Sequence, residues 1–442
     1  MSKAIVAIVG RPNVGKSTLF NKLAGKRISI VEDTPGITRD RIYADCEWRN
    51  REFMIIDTGG IEPASDDLIL SEMRAQAEIA IETADVTVLV VNVKDGLTAT
   101  DLDVAQMLQK SNKPVVVACN KVDSPGDDPM EMYEFYNLGV GDLVAVSALH
   151  SLGIGDLLDK IFEFLPPDDE SGKETEDIKF AVIGKPNAGK SSLVNKILGE
   201  DRVIVSPIAG TTRDAIDSYF ERDGVKYTII DTAGIRRKSK IFDQIERFSV
   251  IRALAALERS DVAVIMIDAS EGVTEQDAKI AGYAHEAGKG IVIAVNKWDA
   301  VEKDTNSVTR FKESVQNKLS FMTYAPIEFI SAKTGQRINK LFEHIKYVKE
   351  QNSMRISTGV LNDILNDAVS KVSPPSDKGK RLKIYYITQA STNPPTFILF
   401  VNDRELAHFS YVRYIENKIR ETFGLEGTPV RFIIRERSKE EK

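Results

Sequence analysis

The sequence predicts an α/β protein: two tandem P-loop domains, each a doubly wound, mostly parallel sheet, followed by a small C-terminal α+β domain. Three observations predict it. The octapeptide Gly10–Ser17 (GRPNVGKS) returns as Gly184–Ser191 (GKPNAGKS). Three landmarks share one displacement of 174 residues, 10→184, 38→212 and 57→231. A constant offset marks an internal duplication rather than convergence of short motifs. In each copy, strand-length apolar runs alternate with helical patterns, the signature of a parallel sheet covered by helices.

Composition sets the frame. The 442 residues are 42% hydrophobic and 28% charged, with net charge −7. Such a length suits about three domains. The net charge excludes a wholly basic nucleic-acid binder but not a locally basic face. No apolar run reaches the ~20 residues of a membrane helix, and the N-terminus lacks a signal-peptide layout. The two cysteines, Cys46 and Cys119, lie in strand-like runs and read as reduced, packed thiols. A cytoplasmic protein is expected, without membrane insertion.

The first copy is expected to span 1–165. The run Ala4–Val9 reads as a strand leading into the loop, and Thr18–Ala24 as a helix ending at Gly25. Strand, GxxxxGK[ST] and helix form a phosphate cradle. Gly10 and Gly15 let the backbone turn its N–H groups inward, around Arg11, Pro12, Asn13 and Val14. Lys16 reaches the terminal phosphates, the Ser17 hydroxyl can hold Mg²⁺, and the helix opening at Ser17 and Thr18 adds its positive end. A breaker-rich loop, Val31–Asp40, offers the Thr38 hydroxyl. Strands Arg41–Trp48 and Phe53–Ile56 flank a turn at 49–51. The second leads into Asp57, Thr58, Gly59 and Gly60, where Asp57 can hold Mg²⁺ through water and the Gly60 N–H can meet a γ-phosphate. An acidic, then helical stretch covers 65–84.

Strand Val86–Asn92, a loop at Lys94–Gly96, helix Thr100–Lys110 and strand Val115–Cys119 follow. That strand ends in Asn120, Lys121, Val122 and Asp123. Asp123 can accept from guanine N1–H and its 2-amino group, Asn120 can meet the O6/N7 edge, and the Lys121 stem can cover the ring. Adenine lacks that donor pair and leaves the carboxylate unmatched. After strand Leu143–Val146, Ser147 and the Ala148 N–H can approach guanine O6. An amphipathic helix, 153–165, closes the copy.

Residues 166–177 hold six acids and one lysine and read as a solvated linker. The second copy, 178–350, repeats the parts: Gly184, Lys185, Pro186, Asn187, Ala188, Gly189, Lys190, Ser191 and Ser192. Thr212 follows, then Asp231, Thr232, Ala233 and Gly234. Asn296, Lys297, Trp298 and Asp299, with Ser331 and Ala332, match the base-reading parts at larger offsets. The loop after Gly234 carries four cations in 235–240, against an acidic loop after Gly60. It can touch RNA phosphates or an acidic partner, or simply be solvated.

Residues 351–442 show no nucleotide motif. Their expected order is helix Thr358–Val372, strand Arg381–Thr388, strand Thr396–Val401, helix Ala407–Phe423 and strand Pro429–Ile434. Residues 353–442 hold 15 Lys/Arg and 11 Asp/Glu, 15 − 11 = +4, so this is the basic end of an acidic chain. In the second helix Phe409, Val412, Ile415, Ile419 and Phe423 form one apolar stripe expected to be core, with Arg413, Lys418 and Arg420 facing elsewhere. The αββαβ order resembles the RNA-binding KH fold. Gly424-Leu-Glu-Gly427 matches that fold's GxxG loop in form, but it precedes a strand and carries an acid, so a helix-capping turn is expected.

The whole chain resembles the Der or EngA family of bacterial GTPases, with two Era-like GTPase domains and a KH-like domain. The motifs GRPNVGKS, PGITRD, DTGG and NKVD, then GKPNAGKS, AGTTRD, DTAG and NKWD, carry the resemblance. It implies GTP and GDP as ligands, Mg²⁺ as cofactor, and a cytoplasmic, ribosome-associated monomer assisting maturation of the large ribosomal subunit, with no role on DNA.

Hydrolysis needs positioned phosphates, neutralised charge and an oriented water. Lys16, Ser17, Thr38, Asp57 and Gly60, with Lys190, Ser191, Thr212, Asp231 and Gly234, serve the first two. Ile61 and Ile235 stand where Ras-like proteins keep a water-orienting glutamine, so slow intrinsic turnover is expected. Asn13 and Asn187 resemble the asparagine with which related GTPases hold K⁺ beside the phosphates; a plain loop hydrogen bond is the alternative. A phosphoryl-transfer kinase is disfavoured by the paired NKxD motifs. A signalling or scaffolding GTPase that binds a protein partner without RNA is the competing reading.

Overall fold

The structure is a computed structural model and describes residues 3–24, 43–57, 78, 83–111, 113–123, 130–166, 177–199, 204–205, 217–231, 246–302, 304–377 and 380–436. Strands β1 (Ala4–Val9), β2 (Tyr43–Trp48), β3 (Arg51–Asp57), β4 (Val86–Asn92), β5 (Val115–Asn120) and β6 (Asp142–Ala145) form a sheet ordered β2-β3-β1-β4-β5-β6. Its pairings are parallel except the β2–β3 hairpin. That hairpin turns at Arg49 and Asn50 with φ of 48° and 62°, the two positive values that a tight two-residue turn requires.

Strands β1 and β4 are buried throughout, as strands covered on both faces must be. Alternation sends Ile5, Met54 and Leu89 to one face, under Val104, Ala105 and Leu108 of helix Ala99–Lys110. Val6, Phe53 and Val88 point to the other, under helices Lys16–Leu23 and Ile154–Phe164. The first helix starts at Lys16, two residues before the expected Thr18, because Gly15 itself supplies the N-cap.

The second sheet repeats this connectivity. Strands β7 (Ile178–Ile183), β8 (Ile204–Val205), β9 (Ser218–Arg222), β10 (Val225–Ile230), β11 (Val262–Asp268), β12 (Gly290–Asn296) and β13 (Ile327–Phe329) are ordered β13-β12-β11-β7-β10-β9-β8. β8 forms the edge of this sheet beyond β9. Phe180, Phe220, Tyr227 and Phe342 meet beneath it with ring centroids 5.0–6.4 Å apart.

The C-terminal domain has a short hairpin of β14 (Ser376–Asp377) and β15 (Lys380–Arg381). A sheet of β16 (Ile384–Ser391), β17 (Thr396–Val401) and β18 (Arg431–Glu436) follows, antiparallel then parallel. With helices Thr358–Lys371 and Phe409–Phe423 the order is αββαβ, apart from the hairpin. The strand expected at 381–388 begins at Ile384, because Arg381 belongs to the hairpin and Leu382 N–H bonds Pro375 O. Phe409 is 58% exposed and not core. Tyr411, Ile415 and Ile419 form the buried line. At 3.6 residues per turn Phe409 lies about 120° round the helix from Ile415, off that line.

The chain divides into two compact units, 1–173 with 238–258, and 174–237 with 259–442. Ile251 and Ala255 of helix Glu246–Arg259 accordingly belong to the apolar cluster that holds Ile5 and Leu89. Within the other unit the second sheet's domain and the C-terminal domain meet at the turn that follows helix Phe409–Phe423. The turn Gly424–Gly427 caps its helix, Gly424 N–H bonding Arg420 O, and then docks: Gly427 N–H bonds Tyr324 O and Gly427 O accepts from Ile291 N–H at 2.7 Å. Leu425 is fully buried. Arg420, far from being idle on the outer face, lies 4.8 Å over the Tyr324 ring and donates to Leu425 O and Thr428 O.

Candidate functional site

The duplicated loop has the same form in both copies. Each strand β1 or β7 ends in a glycine with φ near the limit for side chains, Gly10 at 148° and Gly184 at 150°. A Cβ there would lie 2.4 Å from Val90 O in the first copy and 2.6 Å from Met266 O in the second. Gly15 and Gly189 cap the following helices at φ 97° and 98°. Asn13 and Asn187, exposed at the crest, adopt φ of 63° and 62°, a conformation asparagine tolerates better than most residues.

Lys16 folds back over its own loop, its Nζ donating to Gly10 O at 2.8 Å and Arg11 O at 2.7 Å. Lys190 does likewise to Gly184 O and Lys185 O, at 2.6 and 2.7 Å. Burial pushes the Lys16 ammonium down to about 8, the nearby Asp57 opposing that shift and Arg11 adding to it. Ser17 Oγ donates to Asp57 Oδ2 at 2.8 Å, and Asp57 is 7% exposed. A hydroxyl and a buried carboxylate side by side at the helix start fit a Mg²⁺ ion, which needs only one or two protein oxygens beside phosphate and water. No group of three or more His, Cys, Asp or Glu offers a metal cage among the described residues. In the second copy Asp231 lies just beyond β10 with φ 59°, its N–H bonded to Asp217 Oδ1 at 3.0 Å.

The second loop position turns away from the cradle. Arg11 reaches Asp95 at 2.6 Å and Asp101 at 3.5 Å. Lys185 reaches Glu271 at 2.7 Å and Asp277 at 3.6 Å. Asp101 and Asp277 are the third residues of capping boxes begun by Thr98 and Thr274. A buried acid that already caps a helix thus anchors each loop. The side chains of Arg11 and Lys185, placed by their motif among the ligand contacts, are structural; only their backbone faces the cradle. The T-x-x-D spacing was readable in the sequence as a capping box, but not its second partner.

At the base-reading end the two asparagines are ties. Asn120 Nδ2 donates to Val14 O at 2.7 Å, and its Oδ1 accepts from Ala148 N–H at 3.0 Å. Asn296 repeats this with Ala188 O at 2.8 Å and Ala332 N–H at 2.9 Å. The Asn120 carboxamide and the Ala148 N–H, both expected on the guanine edge, are thus engaged with one another. One side chain joins the phosphate loop to the loop after β6 or β13. Asp123 sits between Ser147 Oγ at 2.8 Å and Lys94 Nζ at 2.5 Å. Trp298 is core, its ring centroid 4.4 Å from that of Phe329 and 5.8 Å from that of Phe311, so it offers no face to a base. Val122 likewise packs against the first core and donates its N–H to Val146 O. Lys121 and Lys297 adopt φ of 71° and 61°.

Thr38, Thr58, Gly59, Gly60, Ile61, Thr212, Thr232, Ala233, Gly234 and Ile235 lie outside the described residues, as do the basic loop 235–240 and most of the linker. Cys46 and Cys119 are buried and form no disulfide, and burial pushes the Cys46 thiol up to about 12. No helix among the described residues is long and apolar enough to cross a membrane.

Two sheets of one connectivity, each with a P-loop after its central strand and an NKxD at the end of the strand two places along, define the class of P-loop GTPases. A family model described as "50S ribosome-binding GTPase" matches residues 5–121 and 179–297, and one described as "KH-domain-like of EngA bacterial GTPase enzymes, C-terminal" matches 355–435. GTPase Der of Ruminiclostridium cellulolyticum is 64% identical over 440 residues, and GTPase Der of Acetivibrio thermocellus 62% over 440, each alignment spanning 100% of both chains. GTPase Der of Clostridium tetani is 58% identical over 439 residues, 99% of this chain and 100% of the relative. The chain belongs to the Der, or EngA, family of GTPases: an enzyme that binds guanine nucleotide and hydrolyses GTP.

Proposed function

We propose that this GTPase is a nucleotide-driven switch in maturation of the large ribosomal subunit. One observation carries the reading: both nucleotide domains match the model described as "50S ribosome-binding GTPase", and the third matches a KH-like model. The basic balance of residues 353–442 and the cationic loop 235–240 suit contact with RNA phosphates. We place the domains at 1–165, 178–350 and 351–442, joined by the linker 166–177. The protein works as a cytoplasmic monomer on a precursor particle of RNA and protein.

The mechanism follows from the cradle. Loop N–H groups and the helix start hold the β- and γ-phosphates, and Lys16 and Lys190 swing from loop carbonyls onto them. Ser17 and Asp57, with Thr38, and Ser191 and Asp231, with Thr212, would hold Mg²⁺. That ion, when bound, neutralises charge developing on the phosphate oxygens. Asp123 and Asp299 accept from guanine, while Asn120 and Asn296 keep base site and phosphate site in register. Ile61 and Ile235 contribute nothing to orienting water, so the switch hydrolyses slowly by itself.

Sedimentation of a lysate with a non-hydrolysable GTP analogue tests the role. Co-migration with the large subunit or its precursor supports it. Absence from all ribosomal fractions, with a protein partner retained, favours a signalling GTPase instead.

A further inference from the structure

The two base-reading ends carry opposite charge arrangements. Strands β4 and β11 end in equivalent residues, Asn92 and Asp268, which lie across from Asn120 and Asn296. In the second copy Asp268 is fully buried and holds the Lys297 ammonium at 2.5 Å, while Ser270 Oγ donates to its other oxygen at 2.6 Å. The acid at the strand end therefore clamps the lysine of NKWD. In the first copy that acid is an amide. Asn92 Oδ1 accepts from Lys94 N–H at 3.1 Å. An amide gives Lys121 no counter-ion. The residue matching Ser270 is Lys94, and its Nζ lies 2.5 Å from Asp123 Oδ2. Here a lysine from the loop clamps the aspartate of NKVD.

We propose that Lys94 tunes the first site's preference for guanine by competing for the carboxylate oxygen that the 2-amino group must use. The inference rests on the reading that Asp123 and Asp299 recognise guanine. Each Asp123 oxygen already accepts one donor, Ser147 Oγ on Oδ1 and Lys94 Nζ on Oδ2. Guanine brings two more, one for each oxygen. A carboxylate has about four lone-pair sites, so the ammonium must share Oδ2 or leave it. Lys94 and Ser147 both hold the Asp123 carboxyl below its ordinary value, Lys94 first. Its side chain is 60% exposed and that of Asp123 32%, so the pair is of the modest surface kind. The effect is a graded weakening of that preference, not a block. Lys94 is thus a specificity-setting residue of the first site.

The test compares GDP with IDP, whose hypoxanthine keeps N1–H but lacks the 2-amino group. Any general effect of removing a positive charge falls on both nucleotides alike, so the ratio of their affinities isolates competition at the carboxylate. In the full chain, Asp299→Asn diverts the second site to xanthine nucleotides, leaving guanine titration to report the first. In that background Lys94→Ser should raise the GDP-over-IDP preference about threefold, the size of a surface ion pair. Ser270→Lys, with Asp123→Asn, should lower the second site's preference by a similar factor. An unchanged ratio in both variants overturns the proposal. Two equivalents of GDP still bound by Asp299→Asn would overturn the base-reading assignment instead.

Discussion

The carboxamide of Asn120 donates to the carbonyl of Val14 at 2.7 Å while accepting from the N–H of Ala148 at 3.0 Å. One buried side chain thereby fixes the distance between the loop that cradles phosphate and the loop that borders the base. Asn296 does the same between Ala188 and Ala332. Gly15 is glycine partly for this reason: a Cβ there would stand 2.3 Å from Asn120 Nδ2.

Truncating this tie should weaken both folding and nucleotide binding. Asn120→Ala strands a buried carbonyl and a buried N–H, each costing about 1–3 kcal/mol. GDP affinity at the first site should drop at least tenfold, by about 1.4 kcal/mol. Asn296→Ala should act equally on the second. Calorimetric titration beside thermal unfolding separates the two effects; unchanged affinity with lowered stability would reduce the tie to packing.

The buried Lys16 gives the first site a pH limit. Its ammonium, pushed down to about 8 by burial, is charged at pH 7 and largely neutral at pH 9 in the free protein. Nucleotide phosphate needs the charged form and raises its proton affinity. GDP binding should therefore weaken as pH rises, by about tenfold between pH 7 and 9. For stability the sign is the reverse. The folded value lies below the unfolded value of 10.5, so burial of the charge costs most below about pH 8 and the cost fades as pH climbs toward 10.5. A flat affinity profile over pH 7–9 would contradict the assignment.

Potassium is the next test. Asn13 and Asn187 stand exposed at the crest of their loops, where an amide oxygen can meet a cation beside the phosphates. GTP hydrolysis should run faster in K⁺ than in Na⁺ at equal ionic strength. Asn13→Ala and Asn187→Ala should each remove that difference at their own site. Equal rates in both salts, unaltered by either substitution, would leave the asparagines as turn formers only.

The turn Gly424–Gly427 should prove to be a joint rather than an RNA clamp. Gly427 has φ 71°, and a Cβ there would stand 2.2 Å from Val348 Cγ2 and 3.0 Å from Ile291 O. Gly427→Ala should destabilise the second unit by about 2 kcal/mol, combining overpacking with a disfavoured backbone. Thermal unfolding of the full chain measures this. Glu426→Lys, exposed on the same turn, should leave stability intact; RNA affinity that rises sharply with it would point back to a clamp.

Much of the architecture was legible because it rests on local chemistry. Strands β1, β4 and β17 fall where their apolar runs begin and end. The P-loops were legible as glycine, lysine and serine at fixed spacing, and their repetition disclosed two sites. Sequence by itself thus determined the fold class, the duplication and the nucleotide class. Periodicity and short-range motif chemistry act within a few residues and leave their mark on the chain.

Tertiary structure alone decided which motif residues are structural. Arg11 and Lys185 leave the cradle because buried acids 90 and 92 positions away in the chain, Asp101 and Asp277, lie within reach. Trp298 is lost to the core because Phe311 and Phe329 cover it. Arg420 is recruited to a joint because Tyr324 lies beneath it. The clamp of Lys94 on Asp123, against that of Asp268 on Lys297, likewise appears only when strand ends distant in sequence converge. Each outcome depends on which groups share a small volume, and burial sets the strength of that sharing. No spacing rule along the chain carries that information.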